Sequence, residues 1–272
     1  LFPYTTLFRS KMKKLIINAD DFGLSHTVNQ AITVCFEMNL IDKTSIMVNM
    51  PNADEAVTIS KTHGFFNKVG LHLNLVEGKP LTEDIKRTRF CTNGFFNGSI
   101  SKNRLMWFYL KKDEKKALKI EICAQINKYI DYGFTLKHID SHQHSHIKPS
   151  IVNLVIKLSN KYKFKNIRLA LMMPSSKTSI FTRIYKKLIN YKIKSFNHIH
   201  NDSFLINVDL GDGLRGFEKE LSVNNEKFIK NFVIETWVHP NLIKNQLVND
   251  FYDGNMSFSQ LLELKRRCTG NQ

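Results

Sequence analysis

Short apolar runs alternate with longer amphipathic ones along most of the chain, and this alternation restricts the fold more than any other feature of the sequence. Leu15–Ala19, Thr44–Met50, Val69–Leu75, His138–His144, Asn166–Leu171 and Phe232–Val238 read as strands. Between them, Val28, Ala31, Ile32, Cys35 and Phe36 mark the apolar face of a helix with Ser25 as its N-cap. Further helices are predicted over Asn52–Thr62, Glu114–Tyr132, Pro149–Tyr162 and Ile180–Ile193, with Gly133 just past the end of the second of these. Strands that alternate with helices pair in parallel, because each helix returns the chain to the starting edge of the sheet. The predicted fold is therefore α/β: a distorted β/α (TIM-like) barrel in a single domain, with an open doubly wound sheet as the competing arrangement. Neither GxGxxG nor GxxxxGK[ST] occurs, which counts against a nucleotide-binding open sheet. The stretch Glu77–Leu110 has no clear period and reads as a long insertion or lid.

Composition narrows the function classes. Hydrophobic residues make up 42% and charged residues 24% of 272, a balance that suits a globular protein rather than a disordered or fibrous one. The formal net charge of +16 would attract polyanions, but the excess is mostly Lys within a chain also rich in Asn, Ile and Phe. An AT-rich genome produces that joint skew without any partner. No basic run is interleaved with aromatics, so no specific nucleic acid is expected. Cys35, Cys91, Cys123 and Cys268 are widely spaced and contain no CxxC pair, which suits a reducing compartment. No apolar run reaches membrane-spanning length, and Asn18, Asp20 and Asp21 end the one candidate signal segment too early. A cytoplasmic protein without a membrane partner is expected. Residues 1–11 read as an extraneous segment ahead of Met12, residues 12–257 as the domain, and residues 258–272 as an atypical or truncated tail.

The polar residues at the strand ends carry the chemistry. In a β/α barrel the working groups stand at the C-terminal ends of strands, and residues at i and i+2 share a face. The first strand places Asn18 and Asp20 together, with Asp21 at the turn beyond. Adjacent carboxylates are costly to desolvate without a cation or proton; an acidic helix N-terminus is the alternative, but the pair directly follows a buried apolar strand. The third strand pairs His72 with Asn74, and a lone His in such a place is often a hydrogen-bonded core residue. The run His138-Ile-Asp-Ser-His-Gln-His-Ser-His146, taken as a strand, stacks His138, Asp140, His142, His144 and His146 on one face. Such a face cannot be a dry core; it points to metal binding or acid–base work. Alternate residues lie about 6.6 Å apart along a strand, so one strand supplies one or two ligands to an ion and other strands supply the rest. Late in the chain Glu235, Trp237 and His239 share a face, with His239 preceding Pro240.

Taken in order, LIINADDFGL (Leu15–Leu24), GLHLNLVEGKPL (Gly70–Leu81), HIDSHQHSH (His138–His146) and ETWVHP (Glu235–Pro240) resemble the YdjC family of carbohydrate deacetylases, which includes the ChbG and HpnK types. The resemblance covers roughly residues 12 to 257. It implies a distorted β/α barrel related to polysaccharide deacetylases. It also implies a divalent metal, usually magnesium, held by Asp21, His72 and His142, with Asp20 as general base and His239 near the reacting group. On ligand preference alone, two imidazoles and a carboxylate suit zinc, iron or nickel better. The family commonly has His where Gln143 stands and Gly where Asn241 stands.

The resemblance thus implies a hydrolase that removes acetyl from N-acetylated sugars, its partner a small acetylated carbohydrate; a homodimer is left open. Trp237 and aromatics of the 77–110 stretch would stack on sugar rings. Two other functions stay open: another metal-dependent amidohydrolase or phosphoesterase using the same ligands, and a basic polyanion-binding protein with a passive metal site.

Overall fold

The computed structural model describes residues 14–170, 180–197, 203–205, 233–244, 246–249 and 265. Its central sheet contains β1 (Lys14–Phe22), β2 (Lys43–Ile46), β3 (Val69–Leu73), β4 (His138–Ser141), β5 (Asn166–Ile167), β6 (Ser203–Leu205) and β7 (Val233–Val238). All neighbours pair in parallel, in the order β5-β4-β3-β2-β1-β7-β6. Each strand thus lies beside its neighbours in sequence, and the last pairs with the first. That is the cyclic order of a barrel, in which only the step from β5 to β6 lacks a ladder among the described residues. A doubly wound sheet would instead reverse direction at a switch point, so the barrel reading holds and the open sheet does not.

Period-2 alternation sorts the strand residues. Ile17, Ala19, Ile46, Val69, Leu71, Leu73 and Ile139 are fully buried in one apolar cluster with Ile32 of α1 (His26–Glu37), Ala56 of α2 (Ala53–Thr62), Leu118 and Ile122 of α3 (Lys112–Asp131) and Val155 of α4 (Pro149–Lys161). Their alternates Asn18, Asp20, Ser45, His72, His138 and Asp140 are buried too, but bond to one another. The barrel therefore has an apolar coat and a polar interior. Ser25 caps α1 as predicted, its Oγ accepting from the Val28 N–H at 3.3 Å, and Gly133 follows α3 with φ +90°. A fifth helix, α5, spans Ile180–Asn197.

Gly70 shows how tightly that interior is packed. A Cβ there would lie 3.1 Å from both the Cδ2 and the carbonyl oxygen of His138, so the His138 ring occupies space that only glycine leaves open. Gly70→Ala is expected to cost about 1–3 kcal/mol, the usual range for overpacking. Thermal denaturation checks this, and an unchanged midpoint would mean that the His138 ring moves aside freely.

The stretch Glu77–Leu110, expected to be an insertion, contains short helices at Glu83–Lys86, Ser99–Lys102 and Arg104–Phe108 and a small hairpin, Cys91–Thr92 with Phe95–Phe96. Helix α3 ties it down. The buried Glu121 carboxylate accepts from the N–H groups of Leu81 (3.0 Å) and Thr82 (2.9 Å) and from the Thr82 hydroxyl (2.8 Å). Gln125, one turn on, exchanges hydrogen bonds with the Asn74 backbone at 3.0 and 2.7 Å.

Strand limits differ from the sequence reading at both ends of the scale. β1 continues through Asp20 and Asp21 to Phe22, whereas β2, β3 and β5 stop short of Met50, Leu75 and Leu171, the last of which lies outside the described residues. Residues 1–11, Met12, Phe232 and the 258–272 tail also lie outside them, Lys265 excepted. The Nζ of Lys265 is 2.7 Å from the Asn39 carbonyl and 3.1 Å from Asp42 Oδ1. No helix among the described residues is long and apolar enough to cross a membrane.

Candidate active site

Neighbouring residues of a regular strand point to opposite faces, so Asp20 and Asp21 could not both enter the barrel from an ideal β1. The strand is not ideal there. Its register against β2 slips between Ala19 and Phe22, and Asp21 adopts φ +67°, a left-handed conformation that aspartate tolerates better than most residues. Gly23, at φ +90°, completes the turn, its N–H donating to Asn29 Oδ1 at 2.7 Å. Both carboxylates are buried, and each meets a different partner.

Asp21 Oδ1 lies 2.8 Å from His142 Nδ1 and 3.1 Å from His72 Nε2. The other nitrogen of His72 meets Asp140 Oδ1 at 2.7 Å. The other nitrogen of His142 meets Glu77 Oε1 at 2.7 Å. Burial opposes charge on all three inner groups, but their contacts prevail. Hydrogen bonds from His142 and His72 hold the Asp21 carboxyl far below the usual carboxylate range. The Asp140 charge raises His72 to about 10, and the Asp21 and Glu77 carboxylates raise His142 to about 9.

Asp20 is clamped by Arg168, whose NH1 and NH2 reach its two oxygens at 2.6 and 2.7 Å. The same buried guanidinium touches Asp140 Oδ2 (2.6 Å) and Glu235 Oε1 (3.2 Å). Lys43 Nζ also meets Glu235 at 3.2 Å. Burial would raise the Glu235 carboxyl, but Lys43, His138 and Arg168 keep it at about 2. His239 stands across the pair, its Nε2 4.0 Å from Asp20 Oδ2 and 3.9 Å from Asp21 Oδ2. Burial lowers its pKa against the pull of both aspartates. Arg168, Lys43 and Glu77 are residues that sequence reasoning missed. For Arg168 the signal was a single cation beyond the apolar Ile167 at a barrel strand's C-terminal end.

The His138–His146 run is not one strand. β4 ends at Ser141, and the chain turns into a short 3₁₀ segment in which Gln143 and His144 take φ +49° and +52°. The shared face of the sequence reading therefore does not exist, and the residues separate. His138 and Asp140 point into the barrel and His142 reaches Asp21, while Gln143 is exposed. His144 packs edge-on to Trp237, with ring centroids 5.1 Å apart. His146 is structural: its Nε2–H donates to the Arg168 carbonyl at 2.9 Å and its Nδ1 accepts from the Ser141 hydroxyl at 2.5 Å, linking β4 to the end of β5. Trp237 is also reassigned. It is 7% exposed and lies 5.7 Å from the Arg168 guanidinium, so it covers that ion pair rather than offering a face to a sugar.

Two sets of groups bring ligand atoms within 4.8 Å of one another: Asp21, His72 and His142, and Asp20, His72 and Asp140. In the second, Arg168 already supplies positive charge to both carboxylates. The first is the candidate cation site. Charge counting agrees with it. Leaving aside Glu77, which is half exposed to solvent, Asp20, Asp21, Asp140 and Glu235 are four carboxylates against two cations, Arg168 and Lys43, leaving two unmatched. Protonated His72 and His142 supply two positive charges, and a divalent cation between neutral imidazoles would supply the same two.

The family model described as YdjC-like protein matches residues 14–268. A carbohydrate deacetylase of Thermoanaerobacter pseudethanolicus is 35% identical over 155 residues, 56% of this chain and 58% of that protein. One from Vibrio cholerae is 34% identical over 150 residues, 55% of this chain and 56% of that protein. The chain thus matches less than two thirds of the length of these curated relatives. Among solved structures, an Enterococcus faecalis V583 protein named for a proposed cellobiose-phosphate cleavage superposes with a TM-score of 0.67 at 21% identity, covering 95% of this chain and 93% of that one. That likeness is one of fold.

Proposed function

The chain belongs to the YdjC-like protein family, and from that premise we propose that it is a metal-dependent hydrolase that removes the acetyl group from N-acetylated sugars. The observation that carries the reading is the division of labour between Asp20 and Asp21, adjacent in sequence yet held in opposite settings. Asp21 sits between two imidazoles, and Asp20 sits on an arginine fork facing His239. Asp21, His72 and His142 would hold the cation, which when bound supplies Lewis-acid polarisation of the acetyl oxygen and a more acidic water. Magnesium is the family expectation, but a donor set of two imidazoles and one carboxylate favours zinc.

The remaining groups handle protons. Arg168 fixes both oxygens of Asp20, so the carboxylate keeps one orientation while its unused lone pairs accept a proton from the attacking water. His239, across from both aspartates, would protonate the leaving sugar amine. Phe95, Phe108 and Tyr109, exposed on the 77–110 insertion, are the aromatic faces left for sugar rings. The cytoplasm is the proposed compartment, in keeping with free thiols at Cys35, Cys91 and Cys123.

Acetate release from N-acetylglucosamine oligomers tests the reaction, with phosphoesters as the comparison. Hydrolysis of phosphoesters alone would overturn it. Asp20→Asn tests the roles. It should keep the cation, because the three ligands remain, and lose about 10²–10⁴-fold in kcat, because an amide cannot take the proton. KM should change little. A variant rescued by added cation would show that Asp20 is a ligand instead.

A further inference from the structure

The two candidate imidazole ligands are bracketed in the same way, and the outer brackets, Asp140 and Glu77, have no role in the reading above. His72 stands between Asp21 on Nε2 (3.1 Å) and Asp140 on Nδ1 (2.7 Å). His142 stands between Asp21 on Nδ1 (2.8 Å) and Glu77 on Nε2 (2.7 Å). An ionised carboxylate only accepts hydrogen bonds, so the imidazole nitrogen facing it carries the proton. When the inner nitrogens give up their protons to bind a cation, the outer ones keep theirs, and the outer carboxylates decide which nitrogen is which.

Glu77 is presented to His142 by a fixed turn. The buried Asn74 side chain donates to the Glu77 carbonyl at 2.8 Å and accepts from its N–H at 3.2 Å, and Asn49 Nδ2 donates to the same carbonyl at 3.3 Å. Gln125 of α3 holds Asn74 in turn. Gly78 follows at φ +75°, where a Cβ would lie 2.5 Å from Met50 Sδ. Thus the backbone at residue 77 is locked from three sides. Its side chain, 45% exposed, reaches from the solvent edge to a His142 ring that is 4% exposed. An ordinary surface glutamate has no such scaffold.

We infer that Glu77 is a positioning residue for the cation site: its carboxylate holds the Nε2–H of His142 and thereby commits Nδ1 of that residue to the cation, as Asp140 commits Nε2 of His72. The inference rests on the metal-site reading above and adds a residue and a ligating atom to it.

Zn²⁺ titration calorimetry of the full chain, metal-stripped beforehand, tests it on the parent, Glu77→Ala, Glu77→Gln and, as reference, His142→Ala. Glu77→Ala should weaken Zn²⁺ binding about 10–100-fold, the usual effect of losing an outer carboxylate. Its metal-free melting temperature should fall by only a few degrees, since Asp21 still pairs with His142 and the Glu77 side chain is half exposed. Glu77→Gln should lose less, because its amide oxygen still accepts the Nε2–H. Long-range ¹H–¹⁵N spectra of the Zn²⁺-loaded parent should show His142 protonated at Nε2. Parent-like Zn²⁺ affinity in Glu77→Ala, or zinc on Nε2 of His142, overturns the assignment of Glu77. If instead the parent binds no Zn²⁺, or His142→Ala binds it equally well, the metal site itself fails.

Discussion

Asp21→Asn is expected to release the cation and to abolish deacetylation in the same step. The Asp21 carboxylate oxygen is the atom common to both imidazole contacts, so its charge organises the whole set. Replacing it leaves His72 and His142 facing a neutral amide and removes one of the two unmatched negative charges. The loss of affinity should exceed the about 10–100-fold typical of an outer partner, and excess cation should restore part of the rate. Metal content after dialysis, measured beside activity, checks this. Full retention of metal by Asp21→Asn would remove Asp21 from the site.

The same centre predicts a direction with pH. His72 and His142 are raised to about 10 and about 9 without a cation, above the ordinary value for histidine. Their contribution to stability is therefore fully present below the unfolded value, about 6.5, and is lost as pH rises through 9 to 10. A cation needs both rings neutral on their inner nitrogens, so it competes with those protons. Zn²⁺ should therefore raise the melting temperature more at pH 9 than at pH 7.

Arg168→Met should have the largest effect on folding. The guanidinium is fully buried and touches Asp20, Asp140 and Glu235 together. Removing it strands those carboxylates in the barrel interior, and one buried charge left unpaired typically costs about 3–5 kcal/mol. Domains of this kind have about 5–15 kcal/mol in total. Arg168→Met is therefore expected to be insoluble or to unfold at much lower denaturant. Arg168→Lys keeps the charge but not the fork that holds both oxygens of Asp20, and should recover part of the stability while kcat stays low. A midpoint for Arg168→Met within about 1 kcal/mol of the parent would contradict the hub role.

Local chemistry explains which features were readable in advance. Ser25 caps α1, Gly133 ends α3 and apolar positions face the core because each of these depends on a residue and its near neighbours. Parallel pairing followed from strand–helix alternation. The local rule failed in the His138–His146 run. Its alternation looked like a strand face, yet two left-handed residues after Ser141 break the period and send each side chain elsewhere.

By itself, then, the sequence determined the α/β class, the positions of the five long helices and the choice of Asp20, Asp21, His72, His142 and His239 as candidate site residues, since strand-end polar groups and motif order are written along the chain. The resemblance implied how those residues would divide the work, and only the tertiary structure supplied the contacts that hold each of them in place. The bulge that turns Asp20 and Asp21 inward, the bonding of His146 to the Arg168 carbonyl, and the gathering of Arg168, Asp140, Glu235 and Glu77 around them all rest on contacts between distant segments. Such contacts have no local period. Arg168 and Asp20 are 148 residues apart, and their pairing exists only because the curled sheet brings the ends of distant strands together, where each buried charge needs an opposite one.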